Sequence, residues 1–131
     1  QEKPVLLKRN FGATVKEYLL AGEYLALGKC LPLFCERGIR TFSDTTRYTL
    51  DLGSIKVLKQ TVHIPVIVDP SHAAGKREHV IPLAKAALAY GADGIIVEVH
   101  HQPQSALSDR QQALSIEEFI TLLHSTTFCS K

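Results

Sequence analysis

Pro65-Val66-Ile67-Val68-Asp69-Pro70-Ser71-His72 is the stretch on which the fold turns. A short apolar run suits a strand buried on both faces, as in a parallel sheet. Pro at the first residue of a strand is tolerated. The run closes on Asp69, Pro70, Ser71 and His72, so polar chemistry stands where the strand ends. A helical pattern follows from about Arg77 to Tyr90, and Gly91 stops it.

The same unit recurs on both sides. Val5-Leu6-Leu7 ends in Lys8-Arg9, and Thr14 with Glu17 three residues on has capping-box spacing. Leu19, Leu20, Tyr24 and Leu27 then recur at helical spacing up to Gly28. Leu31-Pro32-Leu33-Phe34-Cys35 closes on Glu36-Arg37-Gly38, and a polar stretch leads to a helical pattern through Ile55 and Leu58. Gly94-Ile95-Ile96-Val97 closes on Glu98-Val99-His100. Ser115 caps a last helix, with Glu118 at the capping-box position and Phe119, Leu122 and Leu123 as its apolar face.

Four β-then-α units in series predict an α/β fold of parallel strands with right-handed crossovers. An open doubly wound sheet and half of a (βα)8 barrel both fit that order. No glycine-rich GxGxxG follows any strand, which argues against a nucleotide-binding sheet. A complete barrel needs about 250 residues, so 131 residues supply about half of one. Residues 1–131 show no low-complexity linker and no internal domain boundary.

Composition narrows the class of function. With 45% hydrophobic and 21% charged residues the chain can form a core, which argues against disorder. A formal charge of +2 is too small and too scattered for a nucleic-acid footprint. No apolar run could span a bilayer, and no secretory signal is expected, since Glu2, Lys3 and Pro4 lead directly into a strand pattern. Three cysteines without a CxxC pair disfavour a disulfide framework and suit a reducing, cytoplasmic setting. The basic pairs Lys8-Arg9 and Lys76-Arg77 read as solvated charge or as contacts to a small anionic substrate.

Two constellations stand at the strand ends. His72, Glu98 and Asp109 offer an imidazole and two carboxylates, a donor set for a borderline divalent ion. His72 and Glu98 end successive runs, and adjacent strands lie about 4.8 Å apart, so both can reach one ion. Asp109 lies in the following loop and can fold back over the same mouth. Ordinary polar loop residues are the alternative. Lys8 and Arg37 also lie at neighbouring strand ends, where two cations suit a phosphate or carboxylate. Salt bridges to Glu36 or Asp69 explain them equally well. Cys35 reads as a small buried hydrophobe rather than a ligand. His63, His79, His100, His101 and His124 read as structural or solvent-facing, while Arg40, Arg47 and Asp51 contact substrate or order the loop after Arg37.

The strand-end strings, taken together, are more specific. Pro4-Val5-Leu6-Leu7-Lys8-Arg9, Cys35-Glu36-Arg37-Gly38-Ile39-Arg40-Thr41-Phe42, Asp69-Pro70-Ser71-His72, Glu98-Val99-His100 and Ala106-Leu107-Ser108-Asp109 occur here in that order. The set resembles the type I 3-deoxy-7-phosphoheptulonate (DAHP) synthases, in the subgroup related to 3-deoxy-octulosonate-8-phosphate synthase, over nearly the whole chain. The resemblance implies the C-terminal half of a (βα)8 barrel, with the N-terminal half absent. It implies a metal-dependent, aldol-type condensation of phosphoenolpyruvate with erythrose 4-phosphate in the shikimate pathway of aromatic amino acid biosynthesis.

Carried over by position, the resemblance makes Lys8, Arg37 and His72 ligands of phosphoenolpyruvate, with Lys8 and His72 catalytic. It makes His72, Glu98 and Asp109 ligands of a divalent cation (Mn, Fe, Co or Zn). The family's metal-binding Cys and its Lys-Pro-Arg segment for the aldose phosphate belong to strands that this chain lacks, so Cys35 does not inherit the metal. Asn10 stands where the family commonly has Gly, and Arg110 where a small residue is more usual. The octulosonate-phosphate synthases share the Glu-Arg-Gly string and the metal triad, but Ile39-Arg40-Thr41-Phe42 and Asp69-Pro70-Ser71-His72 match the heptulosonate enzymes better. The implied partners are the two substrates and further copies of a full-length protein, with neither nucleic acid nor membrane. A noncatalytic half-barrel remnant that binds anions is the alternative from another class.

Overall fold

The computed structural model describes residues 3–126; Glu2 and one of the three cysteines counted above, Cys129, lie outside them. The elements are β1 (Pro4–Lys8), α1 (Val15–Leu27), β2 (Leu31–Glu36), α2 (Leu52–Thr61), β3 (Val66–Val68), α3 (Pro70–Ala74), α4 (Arg77–Tyr90), β4 (Gly94–Ile95) and α5 (Ile116–Ser125), with a 3-10 turn at Pro103–Ser105. The strands form one sheet in the order β1-β2-β3-β4, and every pairing is parallel. Lys8 lies opposite Cys35, Cys35 opposite Ile67, and Ile67 opposite Gly94.

Strand alternation assigns the two faces of this sheet. Leu7, Phe34 and Val66 form one row across it and meet the helices. Tyr18 of α1 stacks edge-on against Phe34 with ring centroids 4.9 Å apart, and Ile55 and Leu58 of α2 complete this core. The Tyr18 hydroxyl donates to the Leu7 carbonyl and accepts from the Cys35 amide, so α1 is hydrogen-bonded to both β1 and β2. The opposite row carries Leu6, Leu33 and Ile67, which remain partly exposed. A second core of Ala74, Val80, Ala84, Leu114 and Leu122 joins α4 to α5.

Both predicted capping boxes are present, at Thr14 with Glu17 and at Ser115 with Glu118. Gly91 ends α4 as expected, and does so in a left-handed conformation. Two elements differ from expectation. The segment after β3 is a one-turn helix, because Asp69 caps it through the His72 amide, Pro70 pre-sets its first turn and Gly75 closes it at φ 67°. The fourth strand is shorter than the apolar run Gly94–Val97. With β3 turned away into α3, residues 98–100 find another partner. The Leu114 amide donates to the Glu98 carbonyl, and the His100 amide donates to the Leu114 carbonyl.

Candidate metal and anion site

Every strand of a parallel sheet ends on the same rim, and Lys8, Arg37, His72 and Glu98 all follow or close a strand there. Alternation then separates neighbours in sequence. Lys8 shares the inner row with Cys35, and Arg37 continues that row past the end of β2. Arg9 and Glu36 point the other way and are buried, at 3% and 0% exposure. The Arg9 guanidinium donates through Nη1 to Glu36 at 2.8 Å and to Asp51 at 2.9 Å, and through Nε to the Ala13 carbonyl. Of the two readings of the Lys8-Arg9 pair, solvated charge fails for Arg9: only Lys8 is partly open to solvent.

Glu36 holds more than Arg9. Its second oxygen accepts from the Gly38 amide at 2.8 Å, and the Ser54 hydroxyl donates to the first at 2.9 Å. Gly38 has φ 90°, and a Cβ there would lie 2.7 Å from that of Tyr48, so the turn after Arg37 needs glycine. Arg37 itself has a buried Nε without a hydrogen-bond partner among the described residues. The expected alternatives therefore divide. Lys8 does form a salt bridge, with Asp69 at 2.7 Å. Arg37 pairs with neither Glu36 nor Asp69; those carboxylates are held by Arg9, Lys8 and His72.

One ligand atom from each of His72, Glu98 and Asp109 lies within 4.8 Å of the others, and all three residues are partly exposed. His72 is carried by α3, and its Nε2 stands 3.9 Å from Asp109 Oδ1. The Glu98 amide donates to the Ser71 hydroxyl, tying the segment after β4 to α3. Asp109 has φ 56°, a left-handed conformation that Asp tolerates, and Gln112 Nε2 donates to its Oδ1 at 2.6 Å. A neutral imidazole with two carboxylates fits a borderline divalent ion, and three protein donors leave coordination positions open.

Cys35 is wholly buried on the inner row, and burial pushes its thiol pKa up to about 12. It stays a protonated, hydrophobic thiol, as expected. Among the loop residues, Asp51 caps α2, the Arg47 guanidinium lies over the Tyr48 ring, and the Arg40 backbone amide donates to the Phe11 carbonyl. Arg47 and Arg110 also line an open groove of about 270 Å³ with Asp109. Asn10 keeps a negative φ, and its side chain accepts from the Gly12 amide, so this turn does not need glycine. Sequence reading missed Asp69 as a site residue, although its place three residues before His72 was visible. It also missed the pairing of Arg9 with Glu36, which no local pattern announces.

The chain matches the DAHP synthetase I family over residues 1–128. It belongs to that family. It is 52% identical to phospho-2-dehydro-3-deoxyheptonate aldolase of Thermotoga maritima over 122 residues, covering 92% of this chain and 36% of that protein. It is 33% identical to 2-dehydro-3-deoxyphosphooctonate aldolase of Francisella philomiragia, covering 94% of this chain and 49% of that protein. A truncated Thermotoga maritima 3-deoxy-D-arabino-heptulosonate 7-phosphate synthase superposes with a TM-score of 0.92 at 50% identity, over 95% of this chain and 48% of that one. The chain thus spans between about a third and a half of these DAHP synthetase I family relatives and their neighbours. The superposition identifies its four βα units as part of a (βα)8 barrel rather than an open doubly wound sheet.

Proposed function

We propose that this chain is the C-terminal half of a cytoplasmic, metal-dependent DAHP synthase, in which residues 1–131 supply four βα units and half of the active site. The convergence of His72, Glu98 and Asp109 on the rim that also carries Lys8 and Arg37 is the observation that supports this reading. The closer likeness to the heptonate aldolase, 52% against 33%, favours erythrose 4-phosphate over the substrate of the octonate enzymes.

In this reading Lys8 and Arg37 bind the phosphate and carboxylate of phosphoenolpyruvate. The unpartnered Nε of Arg37 gives it a free edge for a planar, two-pronged contact with an anion. His72, Glu98 and Asp109 hold a divalent cation, which when bound supplies Lewis acidity at the aldehyde of the second substrate. The methylene carbon of phosphoenolpyruvate forms a bond to that aldehyde carbon, whose oxygen takes a proton. Water adds at the neighbouring carbon, and inorganic phosphate leaves with the former enol oxygen. Lys8 and Arg37 neutralise the negative charge around the reacting enol and hold it against the aldehyde. His72, which shares the Asp69 carboxylate with Lys8, is in this reading the metal ligand that also lies close to phosphoenolpyruvate. The complete protein works as a homo-oligomer, and the metal is one of Mn, Fe, Co or Zn.

The test joins this chain to the N-terminal half of its Thermotoga maritima relative, or uses the complete natural protein. Phosphate release should require phosphoenolpyruvate, erythrose 4-phosphate and a divalent ion together. His72→Ala and Glu98→Ala should each abolish metal content and turnover. Turnover with arabinose 5-phosphate instead would point to the octulosonate reaction, and undiminished metal content in both variants would mean that the triad is misassigned.

A further inference from the structure

We propose that Asp69, a residue with no role in the reading above, is the positioning residue of the site, fixing His72 in the one tautomer that presents Nε2 to Glu98 and Asp109. The inference rests on the metal reading of those three residues. Asp69 is 1% exposed, so water does not compensate its charge, and its contacts are made by the protein. Its Oδ1 accepts from the His72 amide at 3.0 Å. Its Oδ2 accepts from Lys8 Nζ at 2.7 Å and lies 2.7 Å from His72 Nδ1.

Donor arithmetic decides the tautomer. An ionised carboxylate only accepts hydrogen bonds, and the ammonium of Lys8 only donates. Both Asp69 oxygens already accept, Oδ1 from the His72 amide and Oδ2 from Lys8 Nζ, so in the contact with His72 it is Nδ1 that donates. In the neutral ring Nε2 is then bare, and it is the nitrogen facing Asp109 at 3.9 Å. The two contacts to His72 also work together. The amide bond fixes the backbone of α3, and the ring bond fixes the side-chain torsions, so the imidazole has one orientation before any ligand arrives. Lys8 shares the same oxygen, which places the anion-binding and metal-facing ends of the site on a single carboxylate.

The test uses the complete barrel. Asp69→Asn keeps the size of the side chain and can still accept from the His72 amide, but it then sets an N–H donor in place of the acceptor opposite Nδ1. Its divalent-ion affinity, measured with Mn or Co against a competing chelator in the absence of either substrate, should fall by about 10–100-fold, the range for partners of metal-bound histidines. Asp69→Glu should recover part of that loss. In the unsubstituted metal-free protein, nitrogen NMR should find His72 protonated at Nδ1 and bare at Nε2, a measurement that needs no variant to fold. Protonation at Nε2, or unchanged affinity in a folded Asp69→Asn protein, would overturn the proposal. Failure of the unsubstituted barrel to bind any divalent ion would instead defeat the reading on which it rests.

Discussion

Arg9 and Glu36 form a buried ion pair, 2.8 Å between Nη1 and Oε2, directly behind the two cations that face the rim. Lys8 precedes one member and Arg37 follows the other, so the pair fixes the strand ends that present both. Removing one member leaves the other charged and buried without its partner. Arg9→Met should therefore destabilise a complete barrel by about 3–5 kcal/mol. Arg9→Met combined with Glu36→Leu should be less destabilised than the sum of the single changes. Urea midpoints of the two single variants and the double variant form the cycle that checks this, and strict additivity would show that the pair is not coupled.

Arg37→Lys keeps a positive charge and loses the planar fork. In a complete barrel it should weaken phosphoenolpyruvate binding by about 1.5–3 kcal/mol, the scale of a hydrogen bond to a charged group. The dependence on erythrose 4-phosphate should change much less. Saturation curves with each substrate in turn make the comparison, and equal losses for both would assign Arg37 to ordering the whole site.

Asp93 joins α2 to β3, accepting from Lys59 Nζ at 2.6 Å and from the Val66 amide at 2.8 Å. Partial burial raises its pKa, but the Lys59 and Val66 bonds outweigh this and hold it below the ordinary value of 3.8. A folded pKa below the unfolded one means stability that is fully present above the unfolded value and lost as pH falls through the folded value. The stability gap between unsubstituted protein and Asp93→Asn should be constant from neutral pH down to about 4, then shrink in more acid solution. Urea titrations at neutral pH and near pH 3 read the difference, and a gap that widens in acid would contradict the assigned sign.

Residues 1–131 expressed alone should associate rather than remain monomeric, and should be inactive. β1 and β4 each pair with a single neighbouring strand, and a strand with unpaired backbone groups templates further pairing. Leu6, Leu33 and Ile67 lie on the sheet face away from the helices, and Leu27 and Leu31 add exposed apolar surface at 83% and 56%. Light scattering gives the size in solution, and a phosphate-release assay with manganese gives the activity. Addition of a separately expressed N-terminal half of a relative should restore turnover; a monodisperse, active monomer would refute the half-barrel account.

The sequence by itself determined the elements and the side of the sheet on which chemistry stands. Apolar runs alternate with helical periods, Thr14 and Ser115 mark helix starts through bonds spanning three residues, and a parallel sheet must put every strand end on one rim. These are local or topological rules, so they can be read along the chain. His72, Glu98 and Asp109 were legible as a donor set for the same reason, since each follows a strand run. Only the tertiary structure decided which neighbours share a charge. Lys8 and Arg9 are adjacent in sequence, but one faces Asp69 and the other Glu36, because alternation sends them to opposite faces. The helix α3 also escaped a reading by runs, since five residues are too few for a period and its capping depends on where the Asp69 carboxylate points. Partners separated by 27 or 61 residues meet only when the sheet register brings them together. The sheet register therefore determines whether a strand-end cation is buried in a salt bridge, as Arg9 is, or keeps a guanidinium nitrogen without a partner among the described residues, as Arg37 does.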